Sequence, residues 1–250
     1  MDAVFPKVGC CGFRLSKAEY AARFPVVEVQ QTFYQPPGLA TLKRWRATVP
    51  RDFEFTLKAW QLITHASHSP TYRRLKSNLT AAELEQCGSF QPTPMVEQAW
   101  LTTRACAKAL AARRLLFQCP ASFTPTLQNI TQMRDFFTTI KRGDLTLLWE
   151  PRGNWPETLI QALCHDLNLV HVVDPFLARS LTPDFIYFRL HGGKDFQHIY
   201  SNTELRKLLA LLPIGKPAYV MFNNVNMLED ATRFQEMAEP LHSIRELEFK

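Results

Sequence analysis

The sequence predicts a single closed (β/α)8 barrel of the TIM type, and three observations support this prediction. The chain has 250 residues, and closed barrels of alternating strands and helices commonly contain about 250. Short β-branched or aromatic runs alternate with helical patterns from end to end, which is typical of parallel sheets. Polar residues follow most of the apolar runs, at the position where barrel enzymes carry their catalytic groups. We therefore expect one domain over residues 1–250.

Eight segments have the length and composition of buried strands. They are residues 7–10, 26–33, 53–59, 114–118, 145–150, 169–174, 185–191 and 218–223. The second segment alternates polar and apolar side chains, with Glu28 and Gln30 between valines. Because successive strand residues point to opposite faces, we expect Glu28 and Gln30 to point into the barrel.

Helical patterns occupy most of the segments between these strands. They cover residues 17–23, 39–47, 94–112, 125–140, 156–167, 202–212 and 226–238. The sixth strand candidate has no obvious helix after it, so we expect an irregular sixth unit. Ser16, Thr124 and Asn202 are the capping residues that the pattern predicts. The longest connection, residues 62–93, predicts an elaborated functional loop with a short helix, although its role stays open.

Composition limits the classes of protein to which the chain can belong. The 29 Lys and Arg exceed the 23 Asp and Glu, and a net charge of +6 favours polyanionic partners without establishing one. The six cysteines form no CxxC pair, which favours buried reduced thiols. No apolar run approaches the roughly 20 residues of a membrane span, and the first nine residues lack a secretory signal. We expect a cytoplasmic protein that does not enter a membrane.

The strand ends supply the candidate site residues, since parallel strands of a barrel bring their carboxyl ends together. The candidate catalytic residues are Glu28, Glu150, Asp174 and His191. The candidate substrate-binding residues are Gln30, Tyr34, Lys58, Gln118, Arg152, Arg189, Gly192, Asn223 and Asn224. Each also has a plain structural interpretation, such as a helix cap, a turn or an ion pair with a neighbour.

Several ordered motifs identify a family that the chain resembles. They are VGCCGF (8–13), VEVQQTFYQPP (27–37), FEFTLKAWQLITH (53–65), LLFQCPASF (115–123), WEPRGNW (149–155), YFRLHGG (187–193) and YVMFNN (219–224). Together they resemble the YecE-like family, domain-of-unknown-function family 72, over nearly the whole chain. The resemblance implies a variant (β/α)8 barrel and no established reaction.

The chain departs from the pattern of that family at four positions. Phe13 stands where the family has tryptophan and Gln30 where it has asparagine. Pro151 and Gly153 stand where the family has phenylalanine and histidine. Any mechanism that depends on that histidine is therefore in doubt for this chain, and function has to be argued from the site.

The cations among the candidates favour an anionic substrate. Lys58, Arg152 and Arg189 are three cations at one predicted barrel mouth, which also has a Gly-Gly turn after the seventh strand, where barrels often bind phosphate. The carboxylates and His191 would activate a water or hold a divalent metal ion. The first hypothesis is a hydrolase that acts on a phosphate-bearing substrate, either a nucleotide or a nucleic acid. Whether a metal is required, and the oligomeric state, stay open.

Two alternatives remain at this stage. A glycosidase-like enzyme would use Glu28 and Glu150 as its carboxylate pair, with tryptophans stacked on sugar rings. A non-catalytic module would bind nucleic acid or protein through the 62–93 loop and the basic segments 43–46, 72–76 and 113–114. His65 and His68 are three residues apart but have no metal-ligating partner nearby in sequence, so we expect a loop or rim role for them rather than a zinc site.

Overall fold

The fold is a closed barrel of eight parallel strands in sequential order, the last strand pairing with the first. The structure is a computed structural model that describes residues 6–248, with side-chain environments described up to residue 239. The strands are β1 (Lys7–Cys10), β2 (Val26–Val29), β3 (Glu54–Lys58), β4 (Arg114–Gln118), β5 (Thr146–Glu150), β6 (Leu169–Val173), β7 (Ile186–Leu190) and β8 (Ala218–Phe222). The predicted barrel is confirmed.

Helices and loops connect the strands. The helices are α1 (Lys17–Ala21), α2 (Gln31–Tyr34), α3 (Leu39–Ala47), α4 (Gln61–Thr64), α5 (Ala81–Glu85), α6 (Pro94–Leu110), α7 (Leu127–Thr139), α8 (Glu157–Asp166), α9 (Asn202–Ala210) and α10 (Met227–Glu248), with a 3-10 helix at Pro70–Arg74. The described chain forms no helix between β6 and β7, so the irregular sixth unit is confirmed. Within the described range, no helix combines the length and the apolar character that a bilayer span requires.

The residues pack into two compact units. One combines the described residues of Met1–Glu28, Pro50–Phe53 and Val170–Lys250, and the other combines Val29–Val49 and Glu54–Leu169. In the first unit, β1 needs a glycine, because a Cβ on Gly9 would lie 2.1 Å from the carbonyl oxygen of Val26 on β2. In the second, Phe90, Phe117, Phe136 and Phe137 form a buried aromatic cluster beneath α6 and α7. That the whole chain is a single domain stays a prediction.

The predicted second strand, 26–33, is too long, because β2 ends at Val29. Gln30 has a helical backbone conformation and is the N-cap residue directly before α2. The hydroxyl of Thr32 lies within hydrogen-bond distance of the carbonyl of Lys58, at 2.8 Å, and of Val29, at 3.1 Å. The chain therefore turns into a helix where its polar and apolar alternation still resembles a strand. Neither Gln30 nor Tyr34 lies on a strand, so the alternation argument is wrong for Gln30.

Two of the predicted helix starts are also wrong. The cap of α7 is Thr126 rather than Thr124, and the cap of α9 is Ser201 rather than Asn202. Ser16 caps α1 as predicted. In each case the capping side chain accepts a hydrogen bond from a backbone N–H of the first turn, which decides the start.

The 62–93 connection contains more regular structure than predicted. It includes the end of α4, the 3-10 helix and α5. The backbone N–H of Gly88 donates to the carbonyl of Leu62 at 2.7 Å, which ties the two ends of the connection together. Gln35 Oε1 accepts hydrogen bonds from the backbone of Lys76 and Ser77. The loop is therefore fixed to α2 and to its own base.

Candidate active site

Polar side chains at the carboxyl ends of the strands form three groups, each inside one packing unit. We call them the Glu150 cluster (Lys58, His65, Gln118, Glu150, Arg152), the Glu28 cluster (Cys11, Glu28, Tyr187, Arg189) and the β7–β8 loop group (Asp174, His191, Gly192, Asn223, Asn224). Eleven of these positions were selected from the sequence; His65, Cys11 and Tyr187 were not.

Lys58 ends β3 and is almost fully buried, at 4% exposure. Its Nζ donates to Gln118 Oε1 at 2.9 Å and lies 3.9 Å from the centre of the Phe33 ring. The register of β4 and β5 places Gln118 directly beside Glu150. A buried ammonium has a high desolvation cost, which the amide oxygen and the aromatic face partly offset.

Glu150 ends β5 and forms an ion pair with the residue two positions later. Arg152 Nε donates to Glu150 Oε1 at 2.8 Å, with the carboxylate side chain 6% exposed and the guanidinium side chain 33% exposed. The turn that follows has little freedom, because a Cβ on Gly153 would lie 2.6 Å from the carbonyl oxygen of Phe123. Trp155 Nε1 donates to the same carbonyl at 2.8 Å. This packing holds Arg152 in position to reach back to Glu150.

His65 is the member of this cluster that sequence reasoning missed. It follows α4, is 3% exposed, and its Nδ1 lies 2.8 Å from the Thr64 hydroxyl. Burial is the largest cause that lowers the pKa of His65, to about 3, and the charges of Lys58 and then Arg152 lower it further. The imidazole is therefore neutral at neutral pH. His68, its apparent partner in sequence, is exposed.

The Glu28 cluster is a fully buried ion pair with two further polar groups. Arg189 Nη2 donates to Glu28 Oε1 at 2.8 Å, and the Tyr187 hydroxyl donates to Oε2 at 2.8 Å. The Cys11 thiol lies 3.4 Å from Oε1, and burial, followed by the Glu28 charge, raises the pKa of this thiol well above its usual range. Both carboxylate oxygens thus have protein partners, and neither Glu28 nor Arg189 has exposed surface.

The side chain of Asp174 accepts a hydrogen bond from the backbone of His191. The Asp174 carboxylate accepts from the backbone N–H of Phe176 at 3.1 Å and from that of His191 at 3.0 Å. The His191 ring is half-buried, with its Nδ1 3.3 Å from the Asn223 amide nitrogen. Asp174 therefore caps the turn after β6 and positions the end of β7.

Two residues that the sequence did not single out, Tyr200 and Asp230, accept hydrogen bonds from Gly192 and Asn224 around the Gly-Gly turn after β7. The backbone N–H of Gly192 donates to the Tyr200 hydroxyl at 3.0 Å, so that donor is already used within the protein. Asn224 donates to Asp230 Oδ2 at 2.6 Å and to the carbonyl of His198 at 2.8 Å. Gly192 has a φ of +69°, and a Cβ there would lie 2.5 Å from the Cβ of Asn224. Gly192 and Asn224 thus have structural roles, because their hydrogen bonds and close packing fix the conformation of the loop.

The remaining predicted binding residues lie beside α2. Gln30 is half-buried at the start of α2. The Arg74 guanidinium lies over the Tyr34 ring at 3.6 Å, and Gln61 Nε2 donates to the Tyr34 carbonyl at 2.9 Å. Arg74 therefore links the 62–93 loop to this part of the chain.

Metal binding has no support from the part of the chain that the structure describes. No group of three or more His, Cys, Asp or Glu side chains among those residues is arranged to hold a metal ion. All six cysteines are buried free thiols, as expected. The catalytic and binding roles assigned from the sequence, and a common cavity for all the candidates, stay predictions.

Comparisons with known proteins agree on a family and a fold. A family model described as "Protein of unknown function DUF72" matches residues 12–247. The UPF0759 protein YunF of Bacillus subtilis is 22% identical over 96% of this chain and 90% of its own length. A crystal structure of a DUF72 family protein from Enterococcus faecalis has a TM-score of 0.72 and 22% identity, covering 94% of this chain and 97% of that one. A D-psicose 3-epimerase structure has a TM-score of 0.59 and 11% identity, covering 92% and 97% of the two chains, and shares the fold alone.

Proposed function

The chain belongs to the DUF72 family of proteins of unknown function, and we propose that it is a hydrolase that binds a phosphate-bearing small molecule at its Glu150 cluster. The observation that carries the proposal is the buried Lys58 ammonium, whose Nζ donates to the neutral amide oxygen of Gln118, in one cluster with the half-exposed Arg152 guanidinium. Burial lowers the pKa of His65 most, and the charges of Lys58 and Arg152 lower it further, so both cations act on this imidazole.

The charges of the cluster favour an anion over a neutral ligand. Lys58 and Arg152 are cationic, Glu150 is the one carboxylate defined in the cluster, and His65 is neutral near pH 7. An anionic group gains most where fixed cations are already desolvated, because the local dielectric is low. The half-exposed members, Gln118 and Arg152, provide the route by which a solute reaches the buried Lys58.

Each residue of the cluster has a role in this proposal. Lys58 and Arg152 bind the phosphoryl oxygens, and Gln118 orients the Lys58 ammonium through the hydrogen bond to its Nζ. Glu150 accepts the proton of the attacking water, since it is the carboxylate nearest to the phosphoryl group when Arg152 binds that group. An anion bound beside His65 would offset the two cationic charges that lower the pKa of its imidazole.

The folded structure supports the glycosidase alternative less than the sequence does. Glu28 has both carboxylate oxygens bonded inside the protein and no exposed surface, which leaves little for a sugar to contact. Trp60, Trp149 and Trp155 are at most 9% exposed, so they pack in the core rather than offer a face to a sugar ring. The Glu28 cluster is better explained as a support that fixes the inner layer of β2 and β7.

A phosphoester screen with and without Mg²⁺ or Mn²⁺ tests this function. Once a substrate is found, we expect Glu150→Gln to retain or tighten binding of the anion, because a negative charge is removed beside it, and to abolish turnover. Arg134→Gln is the matched control, since Arg134 also pairs with one carboxylate, Asp166, but on the surface. Failure of every substrate class under every metal condition, with Glu150→Gln only lowering stability, would favour the non-catalytic binding module.

A further inference from the structure

A groove on the helical side of the second packing unit combines an apolar cavity with a basic cleft. The apolar cavity, about 730 Å³, lies between α6 and α7 and is lined by Phe90, Val96, Trp100, Leu101, Phe136 and Ile140, among others. The basic cleft, about 580 Å³, is lined by Arg104, Lys108, Arg113, Lys141 and Arg142. Arg104 and Lys141 line both, so the cavity and the cleft adjoin along these two residues, and we call them together the groove.

The cations of the basic cleft have few partners inside the protein. Within the described range, the side chains of Lys108, Arg113 and Lys141 make no hydrogen bond or ion pair. Arg104 donates only to the carbonyl of Lys141, and Arg142 donates to three backbone carbonyls. Among the described residues, no carboxylate therefore forms an ion pair with any of these five cations.

Helix ends explain part of this charge but not all of it. Lys108 lies in the last turn of α6, and Lys141 follows the end of α7, where a helix carries about half a negative charge. Two helix ends and Asp144, the one acidic residue that lines the cleft, offset about two of its five positive charges. The cleft therefore keeps a net excess of about three positive charges, which a partner can neutralise.

The apolar cavity favours aliphatic side chains over nucleobases. Its aromatic residues are at most 7% exposed, so they offer no open face for a base to stack on. Leu101, by contrast, is 45% exposed, and Ile140 is half-buried. Exposed carboxylates at Glu97 and Asp135 line the same cavity and would repel a continuous phosphate backbone.

We propose that this groove binds an acidic peptide segment of a partner protein, with an aliphatic side chain in the apolar cavity and carboxylates over the basic cleft. The proposal is independent of the Glu150 cluster, because it uses other residues on α6, α7 and the α7–β5 connection. It assigns to the chain an interaction surface in addition to its barrel site.

Fluorescence anisotropy with short labelled probes tests the proposal. The probes are a peptide of alternating leucine and glutamate, a leucine–glutamine peptide, a polyglutamate peptide and an oligo-dT of equal length. We expect the leucine–glutamate peptide to bind most tightly. Arg113→Ala/Lys141→Ala should weaken it about tenfold, as the loss of two exposed ion pairs predicts, and Leu101→Asp should weaken it as well.

The matched control is Arg206→Ala/Lys207→Ala on the exposed face of α9, which removes the same charge outside the groove and should leave binding unchanged. Tighter binding of oligo-dT, lost in the Arg113/Lys141 variant, would overturn the proposal in favour of a nucleic-acid surface. Binding of no probe, or equal binding by all variants, would also overturn it, and the cations would then act only on the helix ends.

Discussion

The pKa of His65 is set by the residues around it. Its imidazole is held neutral by burial and by two cations, so its pKa of about 3 in the folded protein lies below the 6.5 of an unperturbed histidine. Between these values the unfolded chain binds a proton that the folded chain does not. The contribution to stability is therefore complete above pH 6.5 and declines as the pH falls toward 3.

We predict that His65→Gln makes the protein less sensitive to mild acid. From pH 6.5 toward pH 4, the free energy of unfolding of the wild type should fall more steeply than that of the variant, by up to about 1.4 kcal/mol per pH unit. Urea unfolding at several pH values measures this difference, and His68→Gln, at an exposed position, is the control. Parallel pH profiles for wild type and His65→Gln would show that His65 is protonated normally in the folded state.

The Glu28–Arg189 pair makes a prediction about stability rather than activity. Glu28→Gln leaves the Arg189 guanidinium buried without its carboxylate partner, and we expect a loss of about 3–5 kcal/mol in the free energy of unfolding. Glu28→Gln/Arg189→Met should recover part of this loss, because it removes both charges. Chemical denaturation of the single and double variants measures the coupling, and independent, additive losses would contradict a paired role.

At the scale of elements, helix starts depend on single side chains. Ser201 accepts from the backbone N–H of Glu204, whose carboxylate accepts in return from Ser201. We predict that Ser201→Ala lowers the free energy of unfolding by about 1 kcal/mol. Asn202→Ala, one residue later, should change it by less than about 0.5 kcal/mol. Thermal denaturation compares the two, and an inverted order would restore Asn202 as the cap.

The β7–β8 loop makes a second prediction at this scale. Gly192→Ala would place a Cβ 2.5 Å from the Cβ of Asn224 at a φ of +69°. We expect a loss of about 1–3 kcal/mol, the cost of a strained backbone residue. Gly215→Ala is the control, because it has a φ of +71° but nothing within 4 Å of the added Cβ. A loss in the Gly192 variant no larger than in the control would show that the contact with Asn224 is easily relieved.

At the scale of the whole molecule, periodicity alone predicts the eight strands and the longer helices. The strands are short apolar runs, and local composition marks both of their ends. The overlong second strand shows the limit of this approach, because the bond from Thr32 to the carbonyl of Lys58 joins residues that are distant in sequence. No local pattern indicates such a contact.

The candidate site is less predictable than the fold for the same reason. Direct contacts link the strand-end residues Lys58, Gln118, Glu150 and Arg152 in the folded chain. The sequence predicts only a loop or rim role for His65, because no metal-ligating partner lies near it, and its contacts with Thr64 and Phe33 are visible only in the folded chain. The Glu28–Arg189 pair joins residues 161 positions apart, and only the folded chain shows that it is satisfied internally.

The most direct test of the central claim is calorimetric titration of the protein with sulfate, whose charge does not change near neutral pH. The account predicts saturable binding in the wild type, at least about tenfold weaker binding in both Lys58→Met and Arg152→Gln, and unchanged binding in Arg134→Gln. Equal sulfate affinity in all four proteins, or its loss only in Arg134→Gln, would contradict an anion site at the Glu150 cluster.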